Sequence, residues 1–362
     1  MLHGLMGSSL YLTYENSARY WYCPRSMNNQ LVWIQKVLFL YPQSNCMMDL
    51  LRVHYDNVTK TVSTQPSIQI INNDSSLSAM KDEMVKRGYT YGDNLFIPSY
   101  DWRMAPFGLE KFYSNLKNQI EATFTKHGQK VTLLGYSLGS HVIHFFLVRY
   151  CGEEWVSKYI HNVVLMAPAI AGASQAMVSL WKGEFGAPIS MTDIVHEAVW
   201  SFPSAHVLSP NHFYYENDTM IIGPDNTHFN ASSLPELYKR YSAMGTQDNG
   251  LHDLTTMVNS KPLKHFGVPT YIYFNSGINT VYSADMSKGW NNVKVKYSKG
   301  DGTVPSEPLK RLCKDWESKG QTICKDFATS STSFNHGGFG NNPVIEDLVF
   351  NVTNDVKTNQ FF

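Results

Sequence analysis

Val131-Thr132-Leu133-Leu134-Gly135-Tyr136-Ser137-Leu138-Gly139 is the stretch on which the reading of this chain turns. Val131 to Leu134 is a short apolar run, and His141 to Tyr150 beyond it has a helix-like pattern, so the pentapeptide Gly135 to Gly139 falls in a strand-turn-helix setting. A nucleophilic serine needs that setting. The sharp turn lifts its oxygen above the sheet edge, and small residues at 135 and 139 let strand and helix pass close together. Leu138 then offers its backbone N–H to an oxyanion. A bare GxSxG also occurs in ordinary strand-to-helix turns; the flanking strand and helix give it weight here. Acyl transfer through Ser137 is the expectation.

An elbow of this kind predicts an acid and then a histidine further along the chain. Beyond Asp301 there is one histidine, His336, in the small-residue loop Phe334-Asn335-His336-Gly337-Gly338. For the acid, Gly300-Asp301-Gly302-Thr303-Val304-Pro305 follows Val293 to Tyr297, which alternates at strand period. A carboxylate on the turn after a strand can hold a histidine tautomer and stabilise the imidazolium formed during attack. Asp253, Asp285 and Asp315 are alternatives, and the glycines around Asp301 also fit a plain tight turn. His141 and His144, spaced i,i+3, read as packing or surface residues of the elbow helix.

The second oxyanion donor is sought in a loop after an early strand. The chain opens Met1-Leu2-His3-Gly4-Leu5-Met6-Gly7-Ser8-Ser9-Leu10, and the two glycines around Leu5 and Met6 suit a loop whose backbone points at an anion. Either residue could supply the N–H. Asp101-Trp102-Arg103 reads as a charged pair beside an indole that braces a loop, with a structural role rather than a catalytic one.

Several separated segments carry a resemblance: His3 to Leu10, Trp21-Tyr22-Cys23-Pro24, Pro98 to Arg103, the Gly135–Gly139 elbow, Ala167 to Gly172, Gly300 to Pro305, and His336. In this order, over almost the whole length, they resemble the lecithin:cholesterol acyltransferase family, which includes the lysosomal group XV phospholipase A2 and the phospholipid:diacylglycerol acyltransferases. The resemblance implies Ser137 as nucleophile, Asp301 as acid and His336 as base, with Met6, ahead of Leu5, as the donor beside Leu138. It implies an O-acyltransferase or phospholipase A that works on glycerophospholipids through a serine acyl-enzyme. The acyl chain would pass to a sterol, a diacylglycerol or water. A soluble-ester lipase or esterase is the alternative, which need not bind vesicles, as is a noncatalytic lipid-binding member, which would need a broken triad.

The family closes a small disulfide loop near its start and meets lipid with that surface, which implies a Cys23–Cys46 pair here. Between them, Leu31 to Ile34 and Val37 to Tyr41 are strongly apolar around Lys36, consistent with a membrane-contacting lid or an amphipathic helix packed on the core. Trp33 and Phe39 are the expected contacts there, and Phe213 and Tyr214 in the cap. Cys313 and Cys324 are close enough in sequence for a second loop, leaving Cys151 unpaired; two local pairs suit an oxidising compartment. Sequons at Asn57, Asn73, Asn217, Asn230 and Asn351 point the same way, modestly. A secreted or endolysosomal placement is the expectation, with cytoplasmic placement left open. No signal-peptide pattern is read at Met1. Where the family has an apolar strand leading into the oxyanion loop, only Met1 and Leu2 precede His3. A start further upstream or a shortened first strand is the expectation.

Lys plus Arg and Asp plus Glu each number 30, so the formal charge is zero. With no basic stripe, nucleic acid is not an expected partner. The chemistry requires neither metal nor organic cofactor, and the sequence assigns no oligomeric state. No apolar stretch is long enough to cross a bilayer, so any contact with a phospholipid membrane or lipid particle is expected to be peripheral.

The fold class is α/β, with an α/β-hydrolase core, an inserted cap and a small disulfide-bounded membrane-contact subdomain. Residues 1–20 are expected to form the oxyanion loop and first core segment, 21–80 the cysteine-bounded insertion, and 81–173 the core with the elbow. The cap is expected over 174–254, including a helix from Met191 to Trp200 and an acyl tunnel lined by Phe213-Tyr214-Tyr215 and Tyr238. The C-terminal core follows over 255–362. Core elements read as helices over Ser78 to Arg87 and Phe107 to Lys126, and strands at Leu95 to Ile97, Val163 to Met166, Thr270 to Phe274 and Val293 to Tyr297.

Overall fold

The computed structural model describes residues 1–16, 18–33, 35, 38, 40–65, 68–75, 77–182, 193–241, 251–289 and 292–354. Its strands are β1 (Ser8–Glu15), β2 (Ser26–Trp33), β3 (Val53–Asp56), β4 (Thr61–Thr64), β5 (Ile68–Ser75), β6 (Val131–Tyr136) and β7 (Ile160–Met166). Then follow β8 (Thr219–Ile222), β9 (His228–Asn230), β10 (Thr270–Phe274), β11 (Ile278–Asp285), β12 (Lys294–Gly300) and β13 (Thr322–Asp326).

The apolar runs at 131–134, 163–166 and 270–274 become neighbours. β6, β7, β10 and β13 form a parallel sheet in the order β13-β10-β7-β6. Strands buried on both faces are apolar without alternation, and Val163 to Met166 are fully covered. Leu2 continues the sheet past β6: its N–H donates to the Leu134 carbonyl at 2.7 Å and its carbonyl accepts from Tyr136 N–H at 3.0 Å. The chain's first loop therefore leaves the carboxyl end of the sheet beside Ser137, at the edge where α/β sheets gather ligands.

The helix Ser78–Lys86 ends before Gly88, whose φ is +103°. The next helix, Glu110–His127, begins three residues later than the pattern at Phe107 predicts, after Pro106 and Gly108. Gly108 would fall inside a helix begun at Phe107, where glycine costs about 1 kcal/mol relative to alanine. The elbow helix Gly139–Phe145 passes into a π-helical turn over Phe146–Cys151. Burial pushes the Cys151 thiol there up to about 12. Leu95 to Ile97 forms no strand ladder: it has a bridge between Tyr91 and Leu95, and Phe96 accepts from the Met1 amine at 2.7 Å.

The remaining strands form mixed and antiparallel sheets. β1 pairs with both β2 and β5, joining the opening segment to the cysteine-bounded one, and β3 pairs with β4. The expectation that Val293 to Tyr297 joins the core is corrected. β12 lies in a separate sheet, β12-β11-β8-β9, antiparallel to β11, so two strands from the cap region share a sheet with the segment before Asp301. Helices Ser174–Lys182, Asp193–Trp200, Pro203–Val207, His212–Tyr215 and Leu234–Tyr241 make up the rest of the cap-like insertion, with Leu251–Asn259 following it. Met191 and the side chain of Tyr238 lie outside the described residues.

Disulfides join Cys23 to Cys46 and Cys313 to Cys324. Arg103 knits these parts together. Its fully buried guanidinium holds both Asp101 carboxylate oxygens, at 3.0 and 2.5 Å, and donates to the Leu51 carbonyl at 2.5 Å. Its own carbonyl accepts from Ser204 N–H at 3.2 Å. One side chain thus ties the core loop to the disulfide segment, and its backbone ties the loop to the cap.

Candidate active site

Ser137 stands at the end of β6 with φ +53°, a left-handed conformation that L-residues rarely hold. The turn is anchored on both sides. Ser137 N–H donates to the Met166 carbonyl at 3.1 Å, and the Ser137 carbonyl accepts from the Ser140 hydroxyl at 2.5 Å. The flanking glycines have a steric reason. A Cβ on Gly139 would lie 2.6 Å from the Leu2 carbonyl oxygen, and one on Gly135 would lie 2.9 Å from that of Gly139. A side chain at either would push the helix off the sheet.

Three residues drawn from distant parts of the sequence meet here. His336 Nε2 lies 2.9 Å from Ser137 Oγ, and His336 Nδ1 lies 2.8 Å from Asp301 Oδ2. With the carboxylate accepting from Nδ1–H, a neutral ring presents Nε2 as acceptor to the serine hydroxyl. Asp301 Oδ1 accepts from the N–H groups of Thr303 and Val304 at 2.9 and 2.7 Å, so both carboxylate oxygens are occupied at a residue only 2 % exposed. The tight turn at Gly300 fits this: a Cβ there would lie 2.3 Å from the Val304 carbonyl oxygen. Of the other candidate acids, Asp315 is held by Tyr214 and Lys319, and Asp285 by Ser287. Asp253 sits on the helix Leu251–Asn259.

Gly4 to Gly7 forms a turn, closed by Gly7 N–H donating to the Gly4 carbonyl at 3.1 Å, with Met6 at φ +60°. A positive φ at the third position is the type II arrangement, in which the central peptide is flipped. Gly4 abuts the serine: a Cβ there would lie 2.9 Å from Ser137 Cβ. Sequence reasoning missed His3. Its fully buried ring stacks on Tyr100 at 4.0 Å; Nδ1 donates to the Gly4 carbonyl at 2.8 Å and Nε2 accepts from Tyr100 N–H at 3.4 Å. Burial lowers its pKa to about 4, so the ring is neutral near pH 7. The available signal was a polar ring at the start of an apolar loop; its partner Tyr100 lies too far along the chain to be read.

His141 and His144 pack as the spacing suggests, donating from Nε2 to the carbonyls of Ala169 and Lys264, both at 3.0 Å. The residues named for substrate or membrane contact fall in different surroundings. Trp33 is buried, packs against Trp102 at 5.2 Å and points its N–H at the Met6 carbonyl, 3.4 Å away. Tyr214 is buried, with its hydroxyl between Asp315 Oδ2 and Leu263 N–H, each at 3.1 Å. Trp33 does not offer its ring to a lipid surface. Phe213 is half exposed, and Phe39 lies outside the described residues.

A cavity of about 340 Å³ lies at the other end of β6, lined by Met84, Leu95, Phe96, Leu116, Ile120 and Val349 among others; Ser137, Asp301 and His336 do not line it. Among the described residues, no group of three or more His, Cys, Asp or Glu is placed to hold a metal ion, and no helix is long and apolar enough to cross a membrane.

Comparison with known proteins accords with this geometry. Residues 29–269 match the family model described as lecithin:cholesterol acyltransferase. The chain is 24% identical over 329 residues to the phosphatidylcholine-sterol acyltransferase of Rattus norvegicus, covering 83% of this chain and 72% of that protein. It is 22% identical over 310 residues to the lysosomal phospholipase A and acyltransferase of Mus musculus, covering 80% and 74%. A chain in the crystal structure of the Tle4–Tli4 complex shares the fold, with a TM-score of 0.61 at 12% identity over 99% of this chain and 98% of that one. The family match spans well over half of the sequence, and the chain belongs to the lecithin:cholesterol acyltransferase family.

Proposed function

We propose that Ser137 is the nucleophile, His336 its general base and Asp301 the carboxylate that orients the imidazole, with the N–H groups of Met6 and Leu138 receiving the oxyanion. By family the chain is a phospholipase-type acyltransferase acting on glycerophospholipids. The observation that carries the residue assignment is the hydrogen-bonded line from Asp301 Oδ2 through His336 to Ser137 Oγ, at 2.8 and 2.9 Å. Met6 is favoured over Leu5 because the positive φ at Met6 belongs to a turn whose central N–H is its own.

In the first step Ser137 Oγ attacks the ester carbonyl carbon, His336 Nε2 takes the hydroxyl proton, and Asp301 stabilises the imidazolium. The proton then goes to the leaving alcohol oxygen, and a lysophospholipid departs from the acyl-enzyme. In the second step an acceptor hydroxyl gives its proton to Nε2 and attacks the acyl carbon, and the acyl–Oγ bond breaks as Ser137 Oγ takes that proton back. A sterol or diacylglycerol yields a new ester; water yields a fatty acid.

The core is an α/β-hydrolase core, with the division along the chain at 1–20, 21–80, 81–173, 174–254 and 255–362. Its contact with lipid is peripheral and is made by the disulfide-bounded segment. What supports this is Trp21 at 95 % exposure, with Leu40 and Tyr41 also exposed near the helix that holds Cys46. Two disulfides and family membership support a secreted or endolysosomal placement.

The test is incubation of the protein with acyl-labelled phosphatidylcholine vesicles containing a sterol, a diacylglycerol or neither, beside Ser137→Ala. Labelled product that disappears in the variant is expected, and its identity names the acceptor. Substantial turnover by Ser137→Ala would sink the assignment.

A further inference from the structure

Tyr136 fills one of the two open positions of the GxSxG elbow, and the sequence offers no reason for a tyrosine there. Its backbone belongs to β6, bonded to Leu2 on one side and paired with Met166 on the other. Its side chain leaves the sheet toward the histidine loop. The hydroxyl donates to the His336 carbonyl at 2.6 Å, and the ring stacks on the His336 imidazole, with centroids 5.6 Å apart and planes 26° from parallel. Gly4 also lies close to the ring, where a Cβ would be 3.5 Å from Tyr136 Cδ1.

His336 sits on a loop, Asn335 to Gly337, with short 3₁₀ turns before and after it and no regular element of its own. Its position over Ser137 must be imposed from outside. The loop ends are tied down, with Asn275 donating to the Phe334 carbonyl at 3.1 Å and Asn342 to the Ser333 carbonyl at 2.8 Å. At His336 itself two backbone bonds remain: its N–H donates to the Asp301 carbonyl at 2.8 Å, and its carbonyl accepts from Tyr136. The first ties the base to the acid, the second to the residue adjoining the nucleophile. Without the second, the ring can swing about the Asp301 contact and lengthen the Nε2–Oγ approach.

We infer that Tyr136 is a positioning residue for acyl transfer: by holding the His336 carbonyl and stacking on its ring, it fixes the distance between the base and Ser137. The inference rests on the roles given above to Ser137, Asp301 and His336. Burial, then the charge of Asp301, push the Tyr136 ionisation further up, which keeps the hydroxyl a donor across the working pH range. A misplacement of about 1 Å at a reacting atom can cost on the order of 100-fold in rate, so a modest shift would be measurable.

The experiment compares wild type, Tyr136→Phe, Tyr136→Leu and Ser137→Ala on p-nitrophenyl butyrate, a soluble ester that needs no lipid surface. Active sites are counted by end-point titration with a fluorophosphonate, so misfolded molecules drop out. Tyr136→Phe, which keeps the ring, is expected to lose roughly tenfold in kcat per titrated site with KM within about twofold; Tyr136→Leu is expected to lose roughly 100-fold. An unchanged kcat per site in Tyr136→Phe, with Ser137→Ala inactive, would overturn this inference alone. A loss expressed in KM would do the same, because it would place the hydroxyl in substrate binding. Full turnover by Ser137→Ala would overturn the underlying assignment and this inference with it.

Discussion

Replacing Asp301 by asparagine changes one atom, and the structure says which way the amide must face. Oδ1 accepts from two backbone N–H groups, Thr303 and Val304, at 2.9 and 2.7 Å. The amide nitrogen cannot take that place without setting donor against donor in a buried turn, so the amide oxygen stays there. The NH2 group then occupies the Oδ2 position, 2.8 Å from His336 Nδ1, and donates. Nδ1 must become the acceptor, and the neutral ring carries its proton on Nε2, facing Ser137 Oγ. The base then points a donor at the hydroxyl it should deprotonate. An acid replaced in this way in a serine-histidine-aspartate site costs about 10⁴ in kcat. That corresponds to roughly 5 kcal/mol of barrier, with little change in KM. Because the turn keeps both backbone bonds, the melting temperature of Asp301→Asn should stay within a few degrees of wild type. Steady-state acyl release from phosphatidylcholine vesicles, measured beside a thermal melt, checks both. A kcat loss below about tenfold in a folded variant would refute the tautomer argument.

Arg103→Met should be severe without touching the chemistry. It strands the Asp101 carboxylate, now held by the guanidinium at 3.0 and 2.5 Å, and costs about 3–5 kcal/mol in a denaturant titration. Arg103→Lys should recover less than half of that, because an ammonium cannot hold both carboxylate oxygens and the Leu51 carbonyl in one plane. A pH series should show stability falling with acid. Burial lowers His3 to about 4, His141 to about 3 and His144 to about 4, all below their ordinary value near 6.5. Between pH 6.5 and 4 the unfolded chain binds these protons and the folded chain does not, so each histidine removes up to about 1.4 kcal/mol of stability per pH unit lost. A denaturant midpoint that held steady or rose from pH 7 to pH 5 would contradict that sign.

The geometry of the candidate site was legible because its pieces are encoded locally. Glycines at 135 and 139 around a serine, and a carboxylate between Gly300 and Gly302, announce turns within a few residues, and each turn needs its glycine for a contact that a Cβ would break. Sheet membership was not legible. The alternation over Val293 to Tyr297 says strand but does not name a partner; the partner is β11, in a sheet with strands from the cap region. Nor does an aromatic side chain declare its surroundings in sequence. Trp33 and Tyr214 are buried because each polar tip finds a partner, the Met6 carbonyl for one and Asp315 with Leu263 for the other. Trp21 and Tyr41 are exposed, and among the described residues none buries them.

The residues hardest to read are those that keep the site under strain. Met6, Ser137 and Ala167 have φ of +60°, +53° and +43°, where a side chain costs about 1 kcal/mol or more. Ser137 is recognised by its motif; Met6 and Ala167 belong to residue types that do not advertise such a conformation. What holds Ser137 and Ala167 is the sheet. Ser137 N–H donates to Met166 on the next strand, and Ala167, the residue after it, donates to Tyr273 on the strand beyond at 2.8 Å. The strain is thus passed across β6, β7 and β10 through bonds that cannot shift singly, because each strand is paired on both sides. Such a lattice keeps Ser137 raised over the sheet edge, and for the nucleophile proposed above it would leave binding energy for the ester in its transition state rather than for forming the elbow.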